Sequence, residues 1–355
     1  MHVSLLSTFS TTAGPGAHPT MMLDTTSTPS DEDTSSLTTL HPDIIHAHIL
    51  TRLDGPTLAS TASVSSLLHR LCTQEDLWSQ ICTATWPSLQ EPTARYLIST
   101  IPNAHRSIFS DAFPSLRHSS LQTHRPTPPP EELFSAVDIY YQGKPVFSRV
   151  KRTQTQNNWF LTSPLWLDAL EPNELIPMRV KFARKDEEWL KQVEENLSVS
   201  WIIVDPTGKR AANVSSRRAV VARRHWLTRE VEVLYAVEMA GERGRATERV
   251  QCVVKVTCCG KVGGELHVKE VNLVMEDSEG RHVSGKESVS ILQKAMVCGE
   301  RERVDHARDK ERFQNFTCLK KENTKRRFQR ERARDLLSTL FAFFALLFFC
   351  FLARF

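Results

Sequence analysis

The chain has 355 residues, 40% of them hydrophobic and 24% charged, and its formal net charge is +4. This length accommodates two compact domains with tails, and the composition is ordinary for a globular protein. A net charge this small excludes a chain-wide basic surface, so we expect no nucleic-acid partner.

The first 37 residues are rich in Ser and Thr, contain no Lys or Arg and show almost no apolar periodicity. Such a composition cannot bury enough apolar surface to fold, and we predict a disordered tail over residues 1–37. The segment lacks the basic start and the sustained apolar run of a secretory signal, so we expect none here.

Residues 38–89 combine dense apolar periodicity with helix start and stop signals, and they predict three short helices. In the first helix, Pro42 suits the opening position, where its missing N–H costs nothing, and Asp43 suits the positive end of the helix dipole. Ile45, Ile49 and Leu53 follow at four-residue spacing and define an apolar stripe. Two further side chains widen that stripe, Ile44 and Leu50.

The second and third helices follow directly along the chain. Residues 54–56, Asp-Gly-Pro, end the first helix and start the second. The apolar side chains of the second helix are Leu58, Ala62, Val64, Leu68 and Leu71. Residues 73–76 resemble a capping box that opens the third helix, whose apolar side chains are Leu77, Trp78, Ile81 and Cys82. A unit of about 45 residues buries little surface alone, so we expect it to pack against a partner.

This pattern resembles an F-box, with Pro42-Asp43-Ile44-Ile45, Ile49-Leu50, Leu53, Leu58, Val64 and residues 75–78 at the spacings of that family. The resemblance implies binding to the Skp-type adaptor of a cullin-based ubiquitin ligase. The side chains that it assigns to the adaptor contact are Pro42, Ile44, Ile45, Ile49, Leu50, Leu53, Leu58, Val64, Leu68, Leu77 and Trp78. An ordinary three-helix core of a larger helical domain is the alternative interpretation.

Three longer segments, residues 49–60, 200–216 and 224–233, are similar to a plant family in which an F-box precedes one C-terminal domain. This resemblance covers residues 38–298. It implies a non-catalytic substrate-recognition subunit of a Skp-cullin-F-box E3 ubiquitin ligase, whose C-terminal domain recruits a target protein.

Residues 90–132 contain two short helical fragments, RYLIS and SIFSDAF, and then a Pro-rich stretch at 124–132. We expect the fragments to pack against the third helix. The Pro-rich stretch predicts a stiff, extended linker to the next domain.

From residue 133 the apolar period changes from helical to alternating. Residues 135–150 alternate around Gln142-Gly143 and predict a β-hairpin. Strand-like runs with Gly-containing turns follow, and a short amphipathic helix at 288–296 closes the domain. The predicted fold class is therefore α+β multidomain: a small three-helix F-box, a mainly antiparallel β-sandwich-like domain at 133–298 and a C-terminal hydrophobic helix. The positions of Trp201 and residues 225–227 are also loosely similar to the phloem-lectin sandwiches of other plant F-box proteins.

Residues 217–226 interleave arginines with His225 and Trp226, as a phosphate- or RNA-binding face does. On an alternating strand, however, adjacent arginines point to opposite faces of the sheet. This spacing favours a solvated face of the sandwich over a nucleic-acid site.

Residues 299–335 are highly charged and predict a solvated helix or a flexible tether. Residues 336–352 contain no charge and would span about 26 Å as a helix. We predict a transmembrane tail helix over 336–353 that holds the body at the cytosolic face of an intracellular membrane, because basic residues precede it. A buried or partner-binding helix is the alternative. Representative side chains of this tail are Leu336, Leu340, Phe344, Leu347 and Phe351.

The eight cysteines include no CxxC pair, which indicates reduced, mostly buried thiols in the cytoplasm or nucleus. No His pairs with a Ser or Cys and an acid in a recognisable nucleophile motif. We therefore predict no catalytic, cofactor or metal site. The alternative function is a membrane-tethered lectin-like binding module that has no role in a ligase.

Overall fold

The structure, a computed structural model, describes residues 40–117, 128–182, 187–241, 246–261 and 263–352. The predicted disordered tail and residues 124–127 of the predicted Pro-rich linker lie outside these residues. The chain combines helices with antiparallel sheets, as the predicted α+β class requires. Four layers follow one another: a group of short helices, a four-stranded sheet, a six-stranded sheet and a long helix.

The first layer, which we call the helical head, is built from residues 42–112. Its helices are α1 (Pro42–His48), α2 (Gly55–Thr61), α3 (Ser66–Cys72), α4 (Glu75–Thr85), α5 (Pro92–Ser99) and α6 (Ala104–Ala112). Two 3-10 turns lie between them, Leu50–Arg52 and Pro87–Gln90. The predicted fragments RYLIS and SIFSDAF correspond to α5 and α6, and α6 packs against α4, since the Phe109 ring lies 5.3 Å from that of Trp78.

The prediction of one second helix is wrong, because α2 and α3 are separate. Helix α2 ends at its C-cap Ala62, and Ser65 adopts an extended conformation with φ −153° and ψ 161°. Its hydroxyl oxygen accepts a hydrogen bond from the Leu68 N–H at 3.2 Å and caps α3. A Ser side chain that satisfies a free N–H group favours a new helix start over continuation of the old one.

The predicted capping box at 73–76 is also wrong. Gln74 is the N-cap of α4 and makes no side-chain cap bond, while the Thr73 hydroxyl donates to the Arg70 carbonyl at 3.1 Å. Glu75 reaches across to α6 instead, where its carboxylate accepts from the His105 N–H at 3.0 Å. A contact distant in sequence thus takes the place of the local cap.

The remaining elements build two facing sheets and their covering helices. In chain order the strands are β1 (Ser115–Arg117), β2 (Glu132–Tyr141), β3 (Lys144–Gln154), β4 (Trp166–Asp168), β5 (Ile176–Lys181), β6 (Leu197–Asp205), β7 (Arg210–Asn213), β8 (Val221–Arg224), β9 (Val231–Ala240), β10 (Arg249–Gly260), β11 (Glu265–Asp277) and β12 (Glu300–Glu302). The helices are α7 (Asn158–Thr162), α8 (Glu187–Asn196), α9 (Gly285–Cys298) and α10 (His306–Leu352).

The four-stranded sheet has the order β3-β2-β6-β7, and the six-stranded sheet has the order β4-β11-β10-β9-β8, with β5 also paired to β11. All these pairs are antiparallel. The predicted hairpin is confirmed: β2 and β3 join through Gln142 and Gly143, whose φ angles of 51° and 73° suit a tight hairpin turn.

The main core lies between the two sheets. Alternate side chains of β2 and β6, such as Val137 and Trp201, face Tyr235 and Val254 of the opposite sheet, and all four are fully buried. This alternation is the period-two pattern that predicted the strands. The other face of the four-stranded sheet meets the helical head through Ala136, Ile202, Val204 and Ala211. The sandwich is therefore covered by helices on its head side.

The long helix α10 covers the outer face of the six-stranded sheet. Phe313 packs there against Val220, Leu234, Ala236, Val253 and Val274, and Phe316 is almost completely buried. Farther along, the Asn323 amide donates to the Ser278 carbonyl at 3.1 Å, and the Thr324 hydroxyl donates to the Glu279 carbonyl at 3.0 Å. The charged stretch is helical, as one of its two predicted alternatives had it, but the first five turns of α10 are docked on the sheet and not solvated on all sides.

The predicted tail begins in the middle of α10 and does not form a helix of its own. The side chains of Leu336, Leu340 and Phe344 are exposed, and those of Leu347 and Phe351 lie outside the described part of the structure. Among the described residues, no helix has both the length and the apolarity to cross a membrane. The predicted transmembrane helix and membrane anchor are therefore not supported.

Candidate functional site

The helical head has its own apolar core, which contains five of the side chains predicted to bind the adaptor. Trp78 anchors this core, since its indole N–H donates to the Cys72 carbonyl at 2.8 Å and its ring lies 5.3 Å from the ring of Phe109. These five buried side chains are Ile45, Leu50, Leu58, Leu77 and Trp78. They hold the head together from inside.

The other six predicted side chains lie at or near the surface of the head. Val64 is 72% exposed on the segment between α2 and α3, and Ile44 is 47% exposed on α1. Pro42, Ile49, Leu53 and Leu68 are half-buried. We call these six residues the outer apolar set. Large apolar side chains grouped in one small unit are typical of a protein-binding surface.

A groove in the head brings three of the predicted residues together. Its volume is about 460 Å³, and Leu50, Leu53 and Leu77 line it. The opposite wall comes from α6 and the segment after it, through Phe109 and Phe113, whose rings stack at 4.5 Å. The sequence interpretation missed these two aromatic residues because they lie outside the stretch that resembles the F-box.

Gly55 allows α2 to approach α6 closely. A Cβ atom at this position would lie 2.1 Å from the Cζ atom of Phe109, well inside van der Waals contact. Gly55 starts α2 after the N-cap Asp54, whose carboxylate accepts from the Thr57 N–H at 2.9 Å. The absence of a side chain at Gly55 therefore fixes how the start of α2 fits against the aromatic wall of the groove.

A buried carboxylate joins the head to the four-stranded sheet. Asp138 of β2 is fully buried and accepts from the Ser88 N–H at 2.8 Å and from the Ser88 hydroxyl at 2.6 Å. Burial raises the pKa of Asp138, although the hydrogen bonds from Ser148 and Ser88 oppose that shift. Nearby, the Tyr140 hydroxyl donates to the Thr85 carbonyl, and the Glu91 carboxylate accepts from the Val150 N–H at 2.9 Å.

A second carboxylate ties the end of α6 to two strands. Asp111 accepts from Nε and Nη2 of Arg210, both at 2.8 Å, and from the Ala211 N–H at 3.1 Å. The Arg301 guanidinium lies 3.2 Å away from the same carboxylate. Paired guanidinium contacts of this kind give defined geometry. Together with Asp138, they hold the head in a fixed position on the sandwich.

The sandwich exposes aromatic side chains that the sequence interpretation did not single out. Trp159 and Trp166 border a cavity of about 740 Å³, which Arg152, Gln154 and Asn157 also line. Trp159 lies on α7, which Asn157 caps by accepting from the Phe160 N–H at 2.6 Å. In the β4 sequence Trp-Leu-Asp, Leu167 is buried, which turns Trp166 outward.

The buried thiols are poorly suited to nucleophilic or metal chemistry. Burial raises the pKa of Cys82 and of Cys252 to about 12, so both stay protonated at neutral pH. Within the described residues, no three His, Cys, Asp or Glu side chains are grouped so that they could hold a metal ion.

Three curated proteins of Arabidopsis thaliana are similar to this chain. "F-box protein At2g27310" is 40% identical over 325 residues, which are 87% of this chain and 93% of that protein. "F-box protein At3g44326" is 42% identical over 275 residues, 76% of each chain. "Probable F-box protein At2g36090" is 38% identical over 329 residues, 91% of this chain and 96% of that protein. No protein-family model matches the sequence, and no solved structure matches it.

Proposed function

Because the chain belongs to a plant family of F-box proteins, we propose that it is the substrate-recognition subunit of a Skp-cullin-F-box E3 ubiquitin ligase. The helical head binds the Skp-type adaptor and through it the cullin, and the sandwich binds a target protein. The chain itself is non-catalytic and needs no cofactor, and it works in the cytoplasm or nucleus.

The outer apolar set carries this proposal. Ile44 and Val64 are exposed, and Ile49, Leu53 and Leu68 are half-buried, in a head whose interior is already filled by other side chains. Burial of a large apolar side chain contributes about 1.5 to 3 kcal/mol, so an adaptor that covers several of these residues gains substantial binding energy. Covering them costs the head no rearrangement of its core.

A binding measurement with a purified plant Skp-type adaptor tests the proposal. The variant Ile44→Asp/Val64→Asp places charges at two exposed positions and leaves the buried core intact. We expect it to lose adaptor binding at least tenfold, because a charge cannot be buried in an apolar contact without a partner. The matched control is Leu175→Asp, which changes an exposed apolar residue of the sandwich.

The control variant should bind the adaptor like the wild type, and both variants should melt at the wild-type temperature. Failure of the wild type to bind, or equal binding by wild type and the head variant, would overturn the adaptor role.

A second candidate function is a lectin-like binding module without a ligase role, and the cavity beside Trp159 and Trp166 favours it. Exposed indole faces can stack on sugar rings, and Arg152, Gln154 and Asn157 supply hydrogen-bonding groups around them. Saturable binding of the full chain to a glycan array, lost in Trp159→Ala/Trp166→Ala, together with no adaptor binding, would favour this function. Absence of glycan binding would reject it.

A further inference from the structure

The loop between β8 and β9 presents an apolar pair to solvent. Trp226 is 77% exposed and Leu227 is 67% exposed, and both lie at the tip of the loop formed by residues 225–230. The Trp226 ring lies 6.1 Å from the ring of His225. Two large apolar side chains side by side at a loop tip are unusual for a surface that contacts only water.

Hydrogen bonds hold this loop in one shape. The His225 N–H donates to the Glu230 carbonyl at 2.7 Å, and the Arg229 N–H donates to the His225 carbonyl at 3.0 Å. Inside the loop, the Thr228 N–H donates to Nδ1 of His225 at 3.2 Å, and the Thr228 hydroxyl donates to Glu230 at 3.1 Å. Because these bonds close the loop, its backbone loses little conformational freedom when Trp226 and Leu227 are covered.

A cavity of about 420 Å³ opens beside the apolar pair. Phe182, Cys259 and Gly260 form its apolar part, and Arg229 and Lys261 stand at its polar side. Lys181, which is exposed, precedes Phe182 in the chain. In the part of the chain that the structure describes, no carboxylate forms an ion pair with Arg229, Lys261 or Lys181.

Two of the acidic groups near the cavity are paired with basic side chains. Glu230, which also lines it, pairs with Lys269 at 2.9 Å, and Glu232 pairs with Arg223 at 2.8 Å. The Glu265 carboxylate accepts from the Arg179 N–H at 2.8 Å. Glu265 lies opposite Lys181 in the β5–β11 pairing, and Glu270 is close enough to Cys259 to help raise its pKa. The surface around Trp226, Leu227 and the cavity therefore offers a ligand two cations at the cavity itself, Arg229 and Lys261. We call it the loop–cavity surface.

We propose that the loop–cavity surface binds an acidic, extended segment of the target protein that carries a large apolar side chain. The carboxylates of the segment would meet Arg229 and Lys261, and its apolar side chain would enter the cavity against Phe182 while its backbone covers Trp226. Aromatic anchors with surrounding charges that complement the partner are the features that give protein interfaces their affinity and specificity. That this segment belongs to a target protein rests on the proposed function of the chain as a substrate-recognition subunit.

A displayed library of random twelve-residue peptides tests this proposal with the full chain as bait. Clones that also bind the support without the protein are removed. We expect the remaining clones to be enriched in Asp and Glu around a large apolar residue. The dissociation constant of the best synthetic peptide should rise at least tenfold in the double variant and in Arg229→Glu/Lys261→Glu, and it should also rise with ionic strength.

Trp159→Ala is the matched control, since it removes another exposed tryptophan of the sandwich and should leave the affinity unchanged. Enrichment of no clone, enrichment of peptides without acidic residues, or equal affinity for all variants would overturn the proposal. Adaptor binding measured on the same preparations separates the two ideas. If the wild type binds the adaptor but no acidic peptide, only the proposal for the loop–cavity surface is contradicted. If it binds the peptide but not the adaptor, only the ligase role is contradicted.

Discussion

Asp309 is 8% exposed in the first turn of α10, and its Oδ2 atom has no hydrogen-bond partner among the described residues. Burial raises the pKa of this carboxyl from its ordinary 3.8 to about 6, although the nearby arginines oppose the shift. The charged groups that act on it are Arg312, Asp305, Glu302 and Arg217. The folded protein therefore holds this proton more tightly than the unfolded chain does.

The substitution Asp309→Asn should stabilise the protein at neutral pH. Because the folded-state pKa is raised, ionisation of Asp309 weakens folding as pH rises from about 4 to about 6, and the loss stays constant above that range. One pKa unit corresponds to about 1.4 kcal/mol, so the gain at pH 7.5 is at most about 3 kcal/mol. Urea unfolding of both proteins at pH 7.5 and pH 4 measures it. A variant that is less stable than the wild type at pH 7.5 would contradict this account.

Gly55→Ala should destabilise the head. The new Cβ atom would lie 2.1 Å from the Phe109 ring, so α2 or the ring must shift. Overpacking of this kind costs about 1 to 3 kcal/mol. Thermal unfolding followed by circular dichroism measures the difference in stability between the variant and the wild type. Ala59→Ser, at an exposed position of the same helix, is the control, and equal losses in both variants would show that the Phe109 contact is not the cause.

Helices and strands with strong periodicity were predictable from the sequence, whereas helix ends set by a side-chain cap and contacts between distant residues were not. The β2–β3 hairpin follows from alternation around Gln142-Gly143, whose positive φ angles are a local property. The break between α2 and α3 depends on the Ser65 cap, and Ser in an otherwise helical pattern does not reveal whether it will continue or restart a helix. Glu75 bonds to His105, thirty residues away, which no local pattern indicates.

The helix α10 also combines a feature that the sequence indicated with one that it did not. Its charge pattern predicted a solvated segment, yet Phe313 and Phe316 turn its first turns toward the six-stranded sheet. Ion pairs on its flanks, such as that of Lys310 with Glu194 at 2.7 Å, satisfy charges that looked solvated in the sequence. Two apolar residues, together with these polar contacts, dock a helix that is otherwise rich in charge.

Phe316→Ala should undock α10 and lower the stability of the whole protein. The side chain is almost completely buried, and truncation of a buried Phe costs about 3 to 5 kcal/mol. Phe328→Ala is the control, because that ring is exposed on the same helix and its loss should change stability by less than about 0.5 kcal/mol. Urea unfolding measures both variants. If α10 made no docking contacts, both substitutions would lower the stability by the same small amount, and this result would contradict the account.

At the scale of the whole molecule, the head, the sandwich and α10 form one packed body. Asp138 and Asp111 fix the head against the four-stranded sheet, and that sheet shares its opposite face with the main core. The sequence indicated the head through its family spacing and the sandwich through its alternation. It could not indicate their contact, because Asp138 and Ser88 are fifty residues apart and neither stands in a motif.

The two proposed binding surfaces belong to different elements. The outer apolar set lies on α1 to α3 and the segments beside them, and the loop–cavity surface lies on the six-stranded sheet and its loops. Of the residues predicted to bind the adaptor, those with the strongest helical spacing turned out to be divided between the core and the surface. Hydrophobic periodicity identifies the apolar face of a helix and does not say which partner covers it.

Hydrogen–deuterium exchange of the full chain, with and without a purified plant Skp-type adaptor, tests the central claim most directly. The account predicts that the adaptor slows exchange in residues 42–72, which carry the outer apolar set, and leaves residues 225–230 of the loop–cavity surface unchanged. It would be contradicted if the adaptor, at a concentration that saturates an established F-box protein, slowed no amide in the head or protected only the sandwich.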